Sequence, residues 1–148
     1  MTDSYFTALA EEALKKYLEE KNMNWAIQKT NCWANFHYPF FTAQPDGLLV
    51  SGIGQQLRSV LEIKTYTSVA PSLEEVTSQV QRTLNIMGFE SCLYLLFNRD
   101  TRSTVLTQFI WRDPTQFDLH AESVKYIRTA LAQKLKLDDP ERVSIPIA

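Results

Sequence analysis

Three observations on this sequence predict an α/β fold, a central mixed β-sheet flanked by helices. Two apolar runs, Leu48 to Ile53 and Arg58 to Thr65, are separated by a short stretch containing glycine. An amphipathic segment with a strong start signal follows Pro71. It leads into a third, nearly continuous apolar run, Ser91 to Phe97. A hairpin, a helix and a strand covered on both faces are the parts of a mixed sheet with helices packed against it.

The remaining elements follow in order. Thr2, Asp3 or Ser4 can cap a first helix reaching about Lys21, because Leu9, Ala10, Ala13, Leu14, Tyr17 and Leu18 recur at helical spacing. Asn24 to Phe41 alternates aromatic and polar residues and reads as one or two strands broken near Asn31. Gly52 and Gly54 supply the permissive dihedrals of the hairpin loop over 52–56. Ser72 with Glu75 three residues on forms a capping box, and Val76, Val80, Leu84 and Met87 make a buried stripe that stops at Gly88. Asn98-Arg99-Asp100 turns the chain into a strand over Thr104 to Trp111, and a last helix runs from about Asp118 to Leu137.

With 148 residues, 45% hydrophobic and 22% charged, the chain has the composition of one globular domain spanning 1–148. Its eight Phe, six Tyr and three Trp supply much of the core volume. The longest apolar run is of strand length, well short of the roughly 20 residues that span a bilayer, so no membrane association is expected. The first residues lack a basic region followed by an apolar one, which makes an intracellular location, cytoplasmic or nuclear, the expectation. Cys32 and Cys92 belong to no CxxC or Cys/His cluster, which argues against zinc and iron–sulfur sites. A net charge of −2 argues against a protein that coats nucleic acid by bulk electrostatics. It leaves room for an enzyme with its basic groups gathered along one groove.

The chemistry is concentrated in Pro45-Asp46-Gly47 and Glu62-Ile63-Lys64. Residues two apart in a strand share a face, so Glu62 and Lys64 project together while Ile63 points to the opposite layer. If the two apolar runs pair antiparallel, Asp46 arrives at the same end as residues 62 to 64. Carboxylates are the hard ligands that Mg²⁺ prefers, and a lysine nearby can balance charge on a phosphate. An acid-x-lysine triplet alone is usually a solvated strand face; a PDG at hairpin distance makes it specific.

These motifs, followed by Gln79-Val80-Gln81 in a capped helix, resemble the signature of the PD-(D/E)XK nuclease superfamily. The likeness is strongest to its lambda-exonuclease or YqaJ-like viral recombinase branch, and the matching stretch runs from about Gln44 to Phe97. The resemblance implies a restriction-endonuclease-like core and a nuclease hydrolysing DNA phosphodiester bonds with a metal-activated water. Mg²⁺ or Mn²⁺ would be held by Asp46, Glu62, the carbonyl of Ile63 and an acid of the first helix. Spacing does not choose between Glu11 and Glu12; Glu11, six residues before Tyr17, is preferred. Lys64 would position the water. Of Gln79 and Gln81, which diverge by about 200° on a helix, at most one faces the site, and Gln79 is the first choice.

Arg82, Lys125, Arg128, Lys134 and Lys136 are candidates for a path along the nucleic-acid backbone, and Tyr66, Trp33, Phe36 and Tyr38 for base stacking, although core packing explains most of the aromatics. His37 and His120 are isolated and take no role. Two rival readings accompany the nuclease: an inactive nuclease-fold module that binds nucleic acid or protein, and a ribonuclease or cap-cleaving endonuclease. DNA is the expected partner ahead of RNA. The chain is shorter than typical members of the exonuclease branch and has no evident counterpart of the upstream residues that grip a terminal phosphate. A compact viral or mobile-element enzyme, or a domain of a larger polypeptide, fits that length; exonuclease polarity and oligomeric state do not follow.

Overall fold

The computed structural model describes residues 3–52 and 54–145. Helix α1, Asp3–Glu20, presents Ala10, Leu14 and Leu18 at four-residue spacing, all buried. The boundary at which Thr2 would cap it lies outside the described residues. Its far end is closed by Asn22 in the left-handed region (φ 54°), with the Met23 amide donating to the Leu18 carbonyl at 2.9 Å.

Strand β1, Trp25–Gln28, pairs antiparallel with β4, Gly47–Ser51, which pairs antiparallel with β5, Leu57–Tyr66. The first apolar run therefore starts one residue earlier than its hydrophobicity suggests, and its predicted end at Ile53 lies outside the described residues. The Ser51 amide donates to the Gln56 carbonyl at 2.8 Å to close the hairpin. Helix α2, Leu73–Met87, then carries the chain to β6, Ser91–Asn98, which runs parallel to β5, and β7, Ser103–Trp111, completes the edge. The sheet order is β1-β4-β5-β6-β7. A parallel pair needs a crossover, and α2 is that crossover.

Side-chain alternation divides the core. Leu49, Leu61, Ile63, Leu93, Leu95 and Phe97 face α1, whereas Leu48, Val60, Cys92, Tyr94 and Leu96 face α2. The Ser72 hydroxyl accepts from the Glu75 amide at 3.2 Å, and Gly88 ends α2 with φ 74°. The predicted stripe holds at Val76, Val80 and Leu84, but Ile86 rather than Met87 is buried, in a third cluster with Phe41 and Ala43.

The aromatic stretch before Asp46 breaks near Asn31 as expected, but its second strand stops at Ala34 instead of running to Phe41. After β1 the chain leaves the main sheet, and β2, Trp33–Ala34, pairs with β3, Thr42–Ala43, in a separate two-stranded sheet. Between them the Asn35 side-chain oxygen accepts from the amides of His37 and Tyr38 at 3.0 and 2.9 Å. That local bonding competes with a strand ladder, and Pro39 lacks a donor for one. The last helix, α3, Leu119–Leu135, is capped by Asp118 and ends at Lys136 in the left-handed region.

Candidate functional site

Strand β4 begins at Gly47, opposite Leu61, while β5 continues to Tyr66. Beyond Leu61 the β4-side edge of β5 therefore has no strand partner among the described residues, and Asp46 takes that place. Its amide donates to the Leu61 carbonyl at 3.1 Å, and its Oδ2 accepts from the Ile63 amide at 2.7 Å. The peptide groups of one strand residue project to the same edge, so the Ile63 carbonyl also faces the side held by Asp46. Gly47 makes this approach possible: a Cβ there would lie 3.2 Å from the Gln28 carbonyl oxygen and 3.3 Å from Ile27 Cγ2. The glycine of the PDG turn thus serves close packing of β1 on β4.

Glu62 and Lys64 share the α2 face, and their side chains pair at 3.2 Å between Oε1 and Nζ. Ile63 points into the α1 layer. Burial pushes the Asp46 carboxyl above its ordinary value, against the opposing pull of the Ile63 amide and of Lys64 and Lys29. Burial likewise raises Glu62, and the negative charge of Asp46 adds to it, with Lys64 offsetting part. The phenol of Tyr94 and the thiol of Cys92 are raised as well, first by burial and next by Glu62. A field of negative charge therefore extends from this edge into the sheet.

The structure separates the two acids that spacing left equivalent. Glu11 has a side chain 18% exposed and pairs with Lys29, whereas Glu12 is 67% exposed and pairs with Lys15. Glu11 is close enough to Asp46 for its charge to register there. Lys29 carries no sequence signal of its own. It follows β1, whose last residue Gln28 pairs with Leu48, and so stands level with Gly47. Only the strand register could have found it.

The two glutamines also part. Gln81 is 3% exposed; its Nε2 donates to the Trp111 carbonyl at 2.7 Å and its Oε1 accepts from the Asp113 amide at 2.7 Å. Both amide atoms are used, so Gln81 clamps α2 to the end of β7. Gln79 is exposed on the same helix. Arg82 lies over the rings of Phe41 and Phe117, and Arg128 pairs with Glu141, so both act locally around α3. Trp33 packs on Phe89, while Phe36 stands 90% exposed. His120 is not isolated: its Nδ1 lies 2.9 Å from the Tyr38 hydroxyl.

Among the described residues no group of three or more His, Cys, Asp and Glu side chains lies close enough to hold a metal ion. Asp46 lies close enough to Glu62 for its charge to act there and is bonded to the Ile63 amide, and Mg²⁺ is commonly held by one or two carboxylates with waters and substrate phosphates completing its shell. Desolvated acids that repel one another are a donor set suited to such a cation. The groups sit on an open edge; the cleft of about 490 Å³ beside Trp25 and Arg58 is at the far end of the hairpin. No described helix is long and apolar enough to cross a membrane.

No protein-family model and no curated protein matches this sequence. Among solved structures it is similar to an alkaline exonuclease, LHK-Exo, from Laribacter hongkongensis, with a TM-score of 0.58 at 20% identity over 88% of this chain. The chain spans just under two thirds, 66%, of that enzyme. LHK-Exo in complex with dAMP gives a TM-score of 0.62 at 18% identity, covering 88% of this chain and 68% of that one. What is shared at this identity is the fold: a mixed α/β sheet with flanking helices.

Proposed function

We propose that this chain is a metal-dependent nuclease of the PD-(D/E)XK type that hydrolyses DNA phosphodiester bonds. One observation supports the reading: the Asp46 carboxylate is bonded to the Ile63 amide, between Glu62 and Lys64, whose side chains pair with each other. The fold shared with an alkaline exonuclease, one of whose structures holds dAMP, supports a nuclease and favours DNA over RNA.

Asp46, Glu62, the Ile63 carbonyl and Glu11 would hold Mg²⁺ or Mn²⁺. When bound, such a cation supplies charge for the phosphoryl oxygens and makes water acidic near neutral pH. Asp46 is fixed for this task by the Ile63 amide, and Glu62 by Lys64. Lys64 orients the attacking water and offsets charge gathering on the phosphate. Gln79, with its amide exposed on α2, is the glutamine assigned to the substrate; Gln81 is committed elsewhere.

The test is digestion of labelled DNA and RNA in parallel, with Mg²⁺ and with chelator, by the parent chain and by Lys64→Ala. Cleavage of DNA that requires the cation and is lost in the variant is the expected result. Equal cleavage by parent and variant overturns the mechanism, and cleavage confined to RNA overturns the substrate. The engagement of Glu11 by Lys29 favours a second reading, a module that binds without turnover. That reading requires binding of DNA by a parent chain that never cuts it.

A further inference from the structure

We propose that Lys29 contacts a substrate phosphate, presented to the Asp46–Glu62 edge by its ion pair with Glu11. The inference rests on the nuclease reading and deepens it by adding a residue that no motif marks. Glu11 belongs to α1, which is anchored by Ala10 and Leu14, both without solvent exposure. Its carboxylate is a fixed point, and the Lys29 ammonium is bonded to its Oε1. Register sets the other coordinate. Gln28 lies opposite Leu48, so Lys29 is level with the residue that follows Asp46.

The chemistry of the edge calls for such a group. Asp46, Glu62 and Glu11 gather negative charge where a polyanion must approach, and Lys64, 34% exposed, is already paired with Glu62. Lys29 is 65% exposed, the more open of the two lysines. An ammonium has three donors and no acceptor; one is given to Glu11, and the other two have no protein partner among the described residues. A lysine held at one donor and open at two is suited to bridge a carboxylate and a phosphate oxygen. Phosphate contacts of this kind position the backbone without reading sequence.

The competing account is a plain ion pair tying α1 to β1. Exposed pairs contribute about 0–1 kcal/mol, and their loss acts on melting alone. Counterion release separates the accounts. Binding of the full chain to a short labelled DNA duplex is measured by fluorescence anisotropy over a range of salt, with Ca²⁺ replacing Mg²⁺ so that turnover does not intervene. Each phosphate neutralised contributes about 0.9 to the slope of log K against log salt on duplex DNA.

Lys29→Gln and Lys29→Ala are expected to weaken binding and to flatten that slope by about one contact, and Lys29→Arg to restore it. An unchanged slope in the neutral variants overturns the proposal, whatever happens to their melting temperatures. Cleavage in Mg²⁺ is scored separately. A parent that cuts DNA while the neutral variants keep its slope sinks the contact and leaves the nuclease reading. A parent that binds with the expected slope change but never cuts sinks the nuclease and leaves the contact. A parent that neither binds nor cuts sinks both.

Discussion

Gln81 and the Asp46–Glu62 pair are both polar groups withdrawn from water, and they are balanced in opposite ways. Gln81 is neutral, and both of its amide atoms are bonded at 2.7 Å, to Trp111 and Asp113. The Arg112 amide donates inward to Glu90, so by alternation the peptide groups of residues 111 and 113 point away from β6. Gln81 thus satisfies the open edge of β7 much as a neighbouring strand would. Asp46 and Glu62 are charged and close to one another, and both are raised by burial that Lys64 and the Ile63 amide only partly offset. A fully satisfied buried group specifies architecture; an incompletely compensated one costs stability and is retained where chemistry needs it.

The largest expected effect that breaks this comparison is on activity. Lys64→Ala should lower DNA cleavage by about 10²–10³-fold, the loss typical of removing one preorganised charge-stabilising donor, while circular dichroism stays that of the parent. Gln81→Ala should instead leave cation binding intact and destabilise by about 1–3 kcal/mol, because the Trp111 carbonyl and Asp113 amide lose their partner. Denaturant unfolding reads it. If Gln81→Ala abolished cleavage without loss of stability, the clamp would have to be reassigned to the site.

Cation linkage sharpens the other side of the contrast. Mn²⁺ at about 100 times its dissociation constant should stabilise the parent by about 2.7 kcal/mol, and Asp46→Asn should cancel the gain. Thermal melts with and without chelator measure it, and a parent indifferent to Mn²⁺ counts against the site. Without metal, and only in the pH window between the ordinary carboxylate range and their raised values, the folded chain holds more protons on Asp46 and Glu62 than the unfolded chain does. Stability attributable to these acids therefore falls as pH rises from the ordinary carboxylate range through their raised values. Glu62→Gln should melt above the parent at neutral pH in chelator and show a shallower decline across that window. The smallest effect is expected at Ser72→Ala, about 1 kcal/mol from loss of the α2 cap, with no change in metal response.

Much of the fold was legible because local rules agreed with the global one. The Ser72 cap, the Gly88 stop and the apolar run into Phe97 each point to the element that forms. Trp33 to Phe41 misled because aromatic alternation resembles a strand, whereas the Asn35 side chain bonds the backbone into a turn. Glu11, preferred on the sequence, and Glu12 were inseparable by helical angle, and what distinguishes their surroundings is Lys29, eighteen residues from Glu11 in sequence. Sequence favoured Gln79 over Gln81 without a structural reason, and the end of β7 takes up the amide of Gln81.

Residue order alone determined that an acid, a second acid and a lysine would lie on strands able to pair, since alternation fixes which side chains share a face. Tertiary structure decided which groups meet there. The start of β4 at Gly47 leaves β5 an open edge for Asp46, the β1–β4 register brings Lys29 beside it, and α2 takes Gln81 away to β7. Those outcomes depend on contacts between segments distant in sequence, where burial and pairing, rather than local periodicity, set the free energy.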